Sequence, residues 1–161
     1  MSKDIAFYDR ISQSIGDCGW MLIGVLPDPD EDNIPFTIDN FEDKCCFIYT
    51  IGNYECGLPE LLMIGCISGG TLNKIVARMR NDNRAFTDGE SIDLGGKFQP
   101  RAFWANEKAQ EYTVQVGQYY GTDDYTVQQI VIPDTPGRYP GDPKCDLPFC
   151  LVPLLGNNGK H

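Results

Sequence analysis

The chain has 161 residues, with 13 Lys and Arg against 23 Asp and Glu, for a formal net charge of -10. That length suits one domain that buries about two-thirds of its unfolded surface, expected over residues 1–156 with a disordered tail at 157–161. The acid excess argues against a surface for duplex nucleic acid, which needs several cations to neutralise phosphates. It equally disfavours docking on an anionic membrane.

In chain order, Ile5, Tyr8, Ile11 and Ile15 recur three or four residues apart, which predicts a helix over Asp4–Ile15 ended by Gly16–Gly19. Trp20–Leu26 reads as a buried strand interrupted by Gly24. Pro27–Pro35 carries three prolines and four acids and reads as an exposed loop; it lacks the glycine and closing Glu of an EF-hand. Phe36–Ile38 is a candidate short edge strand.

Two apolar runs follow, Cys45–Ile51 and Leu61–Ile67, joined by a connection punctuated with Gly52, Asn53, Gly57 and Pro59. Two such strands would bring Tyr49, Thr50 and Glu60 near one edge of a sheet. Ser68-Gly69-Gly70-Thr71 then leads into an amphipathic helix marked by Leu72, Ile75, Val76 and Met79. The P-loop pattern is missing there, so a tight turn with Ser68 or Thr71 as cap is the expectation.

Asp88-Gly89 marks a turn and SIDLGG a short strand; RAFW, residues 101–104, is another. Glu107–Tyr120 reads as one helix ending at Gly121, with Gly117 as a weak point. Tyr125–Ile132 alternates and is β-branched, hence a strand. The remainder is rich in proline and predicts an extended tail packed across the domain. The fold class expected is α+β: a mainly antiparallel sheet, two or three helices on one face, and the proline-rich C-terminal tail.

Seven cysteines, at 18, 45, 46, 56, 66, 145 and 150, include no CxxC pair. Most of them read as buried free thiols rather than zinc ligands. His161, the last residue, is the single histidine. Ser–His, Cys–His and multi-His metal chemistry are therefore out of reach, and no metal or cofactor is expected. An isolated nucleophile, Cys56 or Cys66, would have no histidine to act as its base.

These motifs together carry a family resemblance. Gly19-Trp20, Tyr49-Thr50-Ile51-Gly52, Gly57-Leu58-Pro59-Glu60-Leu61 and Leu72-Asn73 precede a closing segment, Pro133-Asp134 then Gly137-Arg138-Tyr139-Pro140-Gly141-Asp142. From about Gly19 to Leu155 the chain resembles the bacterial and viral family known as domain of unknown function four-two-six-two. Ile132 and Gly141 stand where that family leads one to expect tryptophan. If those aromatics line a ligand surface, it is altered here. The family has no established activity, so the resemblance implies a fold and its boundaries, not a reaction.

The functional expectation is a non-enzymatic binding module for a protein partner or a small anionic, nucleotide-like ligand. The family's viral distribution makes sequestering a signalling nucleotide one version of this. The expected ligand-binding residues are Tyr49, Thr50, Glu60, Arg101, Asp134, Arg138 and Asp142, with at least two of Arg78, Arg84, Arg101 and Arg138 in one pocket. The aromatic set Tyr112, Tyr119, Tyr120, Tyr125, Phe103 and Trp104 is expected to be core first and a stacking surface second. The alternative is a metal-assisted hydrolase using Glu60, Asp134 and Asp142. A cytoplasmic location is the default, since no run is long and apolar enough to span a bilayer; homo-oligomerisation is left open.

Overall fold

A computed structural model describes residues 2–25, 46–65, 69–96, 99–133, 137–140, 142–144 and 153–156. The acidic loop Pro27–Pro35, the edge strand Phe36–Ile38, Cys66, Ser68, Asp134, most of the proline-rich tail and the tail at 157–161 lie outside the described residues.

The elements run α1 (Ser2–Cys18), β1 (Met21–Val25), β2 (Phe47–Ile51), β3 (Glu60–Ile64), α2 (Gly69–Asp82), β4 (Glu90–Ser91), β5 (Arg101–Trp104), α3 (Val114–Tyr120) and β6 (Val127–Val131). Short 3-10 turns cover Asn53–Cys56 and Glu107–Glu111. The strands form one six-stranded sheet in the order β1-β2-β3-β6-β5-β4. All neighbours are antiparallel except β3 and β6, which run parallel with Glu60 opposite Val127. The α+β architecture with a mainly antiparallel sheet is the one the hydrophobic patterning predicts.

Side chains alternate across a strand, so the sheet builds a separate core on each face. Tyr49, Ile51, Leu62, Ile64 and Val127 pack with Ile11 of α1, Val116 of α3 and Leu155. Ile48, Leu61, Met63, Ala102 and Ile130 pack with Leu72, Ile75, Val76 and Met79 of α2. Two helices thus share one face as expected, and the third, α2, covers the other. The β2–β3 pair sits inside the sheet, flanked by β1 and β6, rather than along its margin.

Two local features depart from these expectations. The stretch expected as one helix over 107–120 breaks at Tyr112–Thr113. There the buried Thr113 hydroxyl donates to Ala109 O at 3.0 Å and pairs with the Tyr125 hydroxyl at 2.7 Å, so its side chain competes with the backbone ladder. Gly117 is tolerated in α3 because a Cβ there would stand 3.3 Å from Thr122 O. Cys18 and Cys56 are free thiols on the surface rather than in the core.

Of the C-terminal segment, residues 153–156 are held by Gln129, which donates to Pro153 O at 2.6 Å and accepts from Leu155 N at 2.8 Å. Its neighbour Gln128 points to the opposite face and brackets Phe86 by both backbone groups. Two buried glutamines on adjacent positions therefore tie loops to both faces of the central strand.

Gly52 is the tightest point of the chain. Its φ of +126° disfavours any side chain, and a Cβ would come within 2.9 Å of Gly19 O and 3.0 Å of Trp20 Cα. Gly52→Ala should therefore lower stability by about 2–4 kcal/mol in urea unfolding, combining backbone strain with a backbone clash. An unchanged midpoint would show that this turn is looser than its geometry implies.

Candidate functional site

The motif stretch folds into a knot around Glu60. The side chain is wholly buried. Its Oε1 accepts from the Thr50 hydroxyl at 2.7 Å and from Asn53 N at 3.2 Å; its Oε2 accepts from Tyr54 N at 2.9 Å and Gly52 N at 3.2 Å. The chain can aim three consecutive N–H groups at one carboxylate because Gly52 takes a positive φ just ahead of the 3-10 turn. Thr50 Oγ1 in turn accepts from Leu61 N at 2.9 Å.

The network extends outward through Asn53. Its amide nitrogen donates to Pro59 O at 2.9 Å, and its oxygen accepts from Arg80 Nε at 2.7 Å. Arg80 also donates to Gly19 O, and its guanidinium lies 5.6 Å from the Trp20 ring centroid. Trp20 Nε1 donates to Asn73 Oδ1 at 3.0 Å. The Gly-Trp, YTIG, GLPE and Leu-Asn motifs are thus parts of one hydrogen-bonded assembly joining β1, β2, β3 and α2.

Burial pushes the Glu60 carboxyl up to about 7, opposed by the Thr50 hydroxyl and then by the backbone donors. Tyr49, also buried, is pushed up to about 12 by desolvation, with Gln115 N donating to its hydroxyl at 3.3 Å. Both Glu60 oxygens are taken by donors, so this carboxylate has no lone pair to offer a metal without giving up a bond. Among the described residues, no cluster of three His, Cys, Asp or Glu could hold a metal ion.

A second locus lies at the other end of β6. Arg101 pairs with Val131 across β5 and β6, four residues along from the position opposite Glu60. Ala102 belongs to the core under α2, so Arg101 and Phe103 face the opposite side. There they line an open cleft of about 650 Å³. Arg138, Tyr139, Pro140 and Asp142 form one wall, Asp88 and Gly89 another, and Leu154 also contributes.

The Arg101 guanidinium carbon lies 4.2 Å from the Tyr139 ring centroid, a close cation–π stack. The Tyr139 hydroxyl donates to Gln99 O, which holds the ring in place. Arg101 Nε is buried and has no hydrogen-bond partner among the described residues. Asp88 Oδ1 accepts from Trp104 N at 2.8 Å, and Asp142 Oδ1 from Lys144 N at 2.9 Å.

The sequence-derived residues therefore divide. Arg101, Arg138 and Asp142 converge on the cleft, whereas Tyr49, Thr50 and Glu60 are interior and do not line it. Asp134 lies outside the described residues. Of the four arginines expected to supply a pocket, Arg101 and Arg138 share the cleft. Arg84 is exposed and pairs with Glu90 at 3.2 Å, holding that carboxyl below its ordinary range, and Arg78 is exposed on α2. Tyr139 and Asp88 were missed by sequence reasoning. Tyr139 stood inside the closing motif between Arg138 and Pro140, and Asp88 read only as a turn residue.

The raised Glu60 carboxyl has a consequence with a definite sign. Between pH 4.5 and about 7 the folded chain holds a proton the unfolded chain has released, so stability falls as pH rises through that window and levels off above it. The full swing is on the order of 3 kcal/mol. Glu60→Gln, which cannot titrate, should flatten the pH dependence of urea unfolding between pH 5 and 8. A variant that keeps the wild-type slope would assign that titration to another group.

No helix among the described residues is long and apolar enough to cross a membrane. No curated protein and no solved structure matches the chain. The model of the domain of unknown function (DUF4262) matches residues 14–146. That span takes in the whole Glu60 knot and the Arg101, Arg138 and Asp142 wall of the cleft, and the chain belongs to this family.

Proposed function

We propose that the chain is a non-enzymatic binding module whose cleft takes a small anionic, nucleotide-like ligand. The observation that carries this reading is the convergence of two guanidinium groups, Arg101 and Arg138, on one open cleft in a protein of net charge -10. The two arginines balance Asp88 and Asp142 in the lining, so the cleft is locally neutral in an acidic protein, and guanidinium forks match phosphate and carboxylate oxygens.

Two further features support it. The cleft volume falls in the range of small-molecule sites. Tyr139, stacked on Arg101, and the edge of Phe103 add aromatic surface beside the cations, which suits a flat group carrying a negative charge. The buried, unmatched Arg101 Nε–H marks a donor whose environment improves when an anionic oxygen engages the guanidinium.

A thermal-shift series with inorganic phosphate and nucleoside monophosphates tests the reading. A ligand at 100 times its Kd should stabilise the fold by about 2.7 kcal/mol, and the shift should shrink as salt rises. Arg101→Ala should weaken binding about ten-fold or more, the worth of a charge-assisted hydrogen bond. Absence of any shift with these anions at millimolar concentration would sink the proposal.

A further inference from the structure

The cleft is not uniformly basic. Along β5, Arg101 and Phe103 point the same way, and the next residue, Trp104, donates its N–H to Asp88. The lining therefore runs from a cation, past Phe103, a residue only 9% exposed, to a carboxylate. From Arg101 to Trp104 the strand advances about 10 Å, comparable to the distance from the base edge of a purine nucleotide to its phosphate.

Asp88 suits a reading role. Its Oδ1 is anchored on Trp104 N at 2.8 Å, which fixes the carboxyl on the rigid sheet. The side chain is otherwise exposed at the cleft, and a carboxylate has about four acceptor sites, of which that bond uses one. Acceptors without donors of their own select a ligand edge that presents only N–H groups.

Resting on the reading that the cleft binds an anion, the geometry points to a guanine nucleotide as its ligand class. The phosphate lies toward Arg101 and Arg138, the base passes along the exposed edge of Phe103, and the guanine N1–H and N2–H donors meet Asp88. Adenine and cytosine offer one exocyclic donor beside a ring-nitrogen acceptor on that edge, and the acceptor would face a carboxylate oxygen. The preference thus comes from repulsion against the wrong base as well as from attraction to the right one.

Calorimetric titration of the full chain with GMP, AMP and inorganic phosphate separates the layers. Wild type should bind GMP about ten-fold more tightly than AMP, the discrimination of one bidentate base contact. In Asp88→Asn the amide oxygen keeps the Trp104 bond while the NH2 group turns to the cleft, so GMP and AMP should come within about two-fold of each other with phosphate affinity retained. Phe103→Leu should weaken both nucleotides and leave phosphate binding alone. Equal GMP and AMP affinities in wild type, with phosphate still bound, would overturn base reading and leave the anion cleft standing. A GMP preference that survives Asp88→Asn would overturn the role of Asp88. Failure of all three ligands to bind would overturn the cleft reading and this inference with it.

Discussion

The carboxylate of Glu60, wholly buried and met by four hydrogen-bond donors, sets the terms for everything around it. Removing a carboxylate from water is expensive unless donors replace the solvent. Here the donors are mainly the backbone of the turn that follows β2, so the side chain dictates the path of the main chain. Only a residue without Cβ can begin that turn at a φ of +126° with Gly19 O against it. The α1–β1 junction must therefore sit where it does, and Arg80 from α2 closes the arrangement through Asn53 and Gly19 O. One acidic group thus fixes the mutual position of three strands and a helix.

This arrangement gives the motif residues and the cleft residues different work. The motifs read as chemistry when met in sequence, since glutamate, threonine and asparagine cluster in a glycine-shaped hairpin. Folded, they are consumed in holding the sheet together. The cleft draws instead on β5, on the turn before β4 and on residues 137–140 and 142, where loop residues stand on a rigid platform. β6 links the two loci: one end lies beside Glu60, and the other backs Arg101.

Much of the fold was legible because both sheet faces are buried, so strands such as YTVQQIVI and RAFW showed as apolar or β-branched runs, and α2 as a clean stripe. The break at Thr113 was not legible. It depends on the Tyr125 hydroxyl, twelve residues away in sequence, which periodicity cannot register. The layer assignment of α2 was equally hidden, because an amphipathic helix does not say which face of a sheet it will cover. At the site, Arg101, Arg138 and Asp142 were found as charged residues at strand ends and in proline-shaped turns. Glu60 was found by the same reasoning, yet it is structural: composition shows that a carboxylate is present, not that backbone donors already surround it. Asp88 escaped notice because its partner, Trp104 N, is a backbone group with no sequence signature.

The parallel junction between β3 and β6 bears on how the molecule comes together. β1-β2-β3 and β4-β5-β6 are each antiparallel meanders whose strands are adjacent in order, and within the sheet the two meet along β3 and β6, where Glu60, Leu61 and Leu62 pair with Val127, Gln128 and Gln129. Each meander can organise from shorter loops, while the seam needs closure between positions far apart in the chain, the entropically slow step. The two meanders are natural cooperative units, joined along a seam of two fully buried strands. Glu60 N donates across that seam to Thr126 O at 2.9 Å. The residue that orders the turn is therefore also the one whose amide exchange with solvent would report whether the two halves are joined.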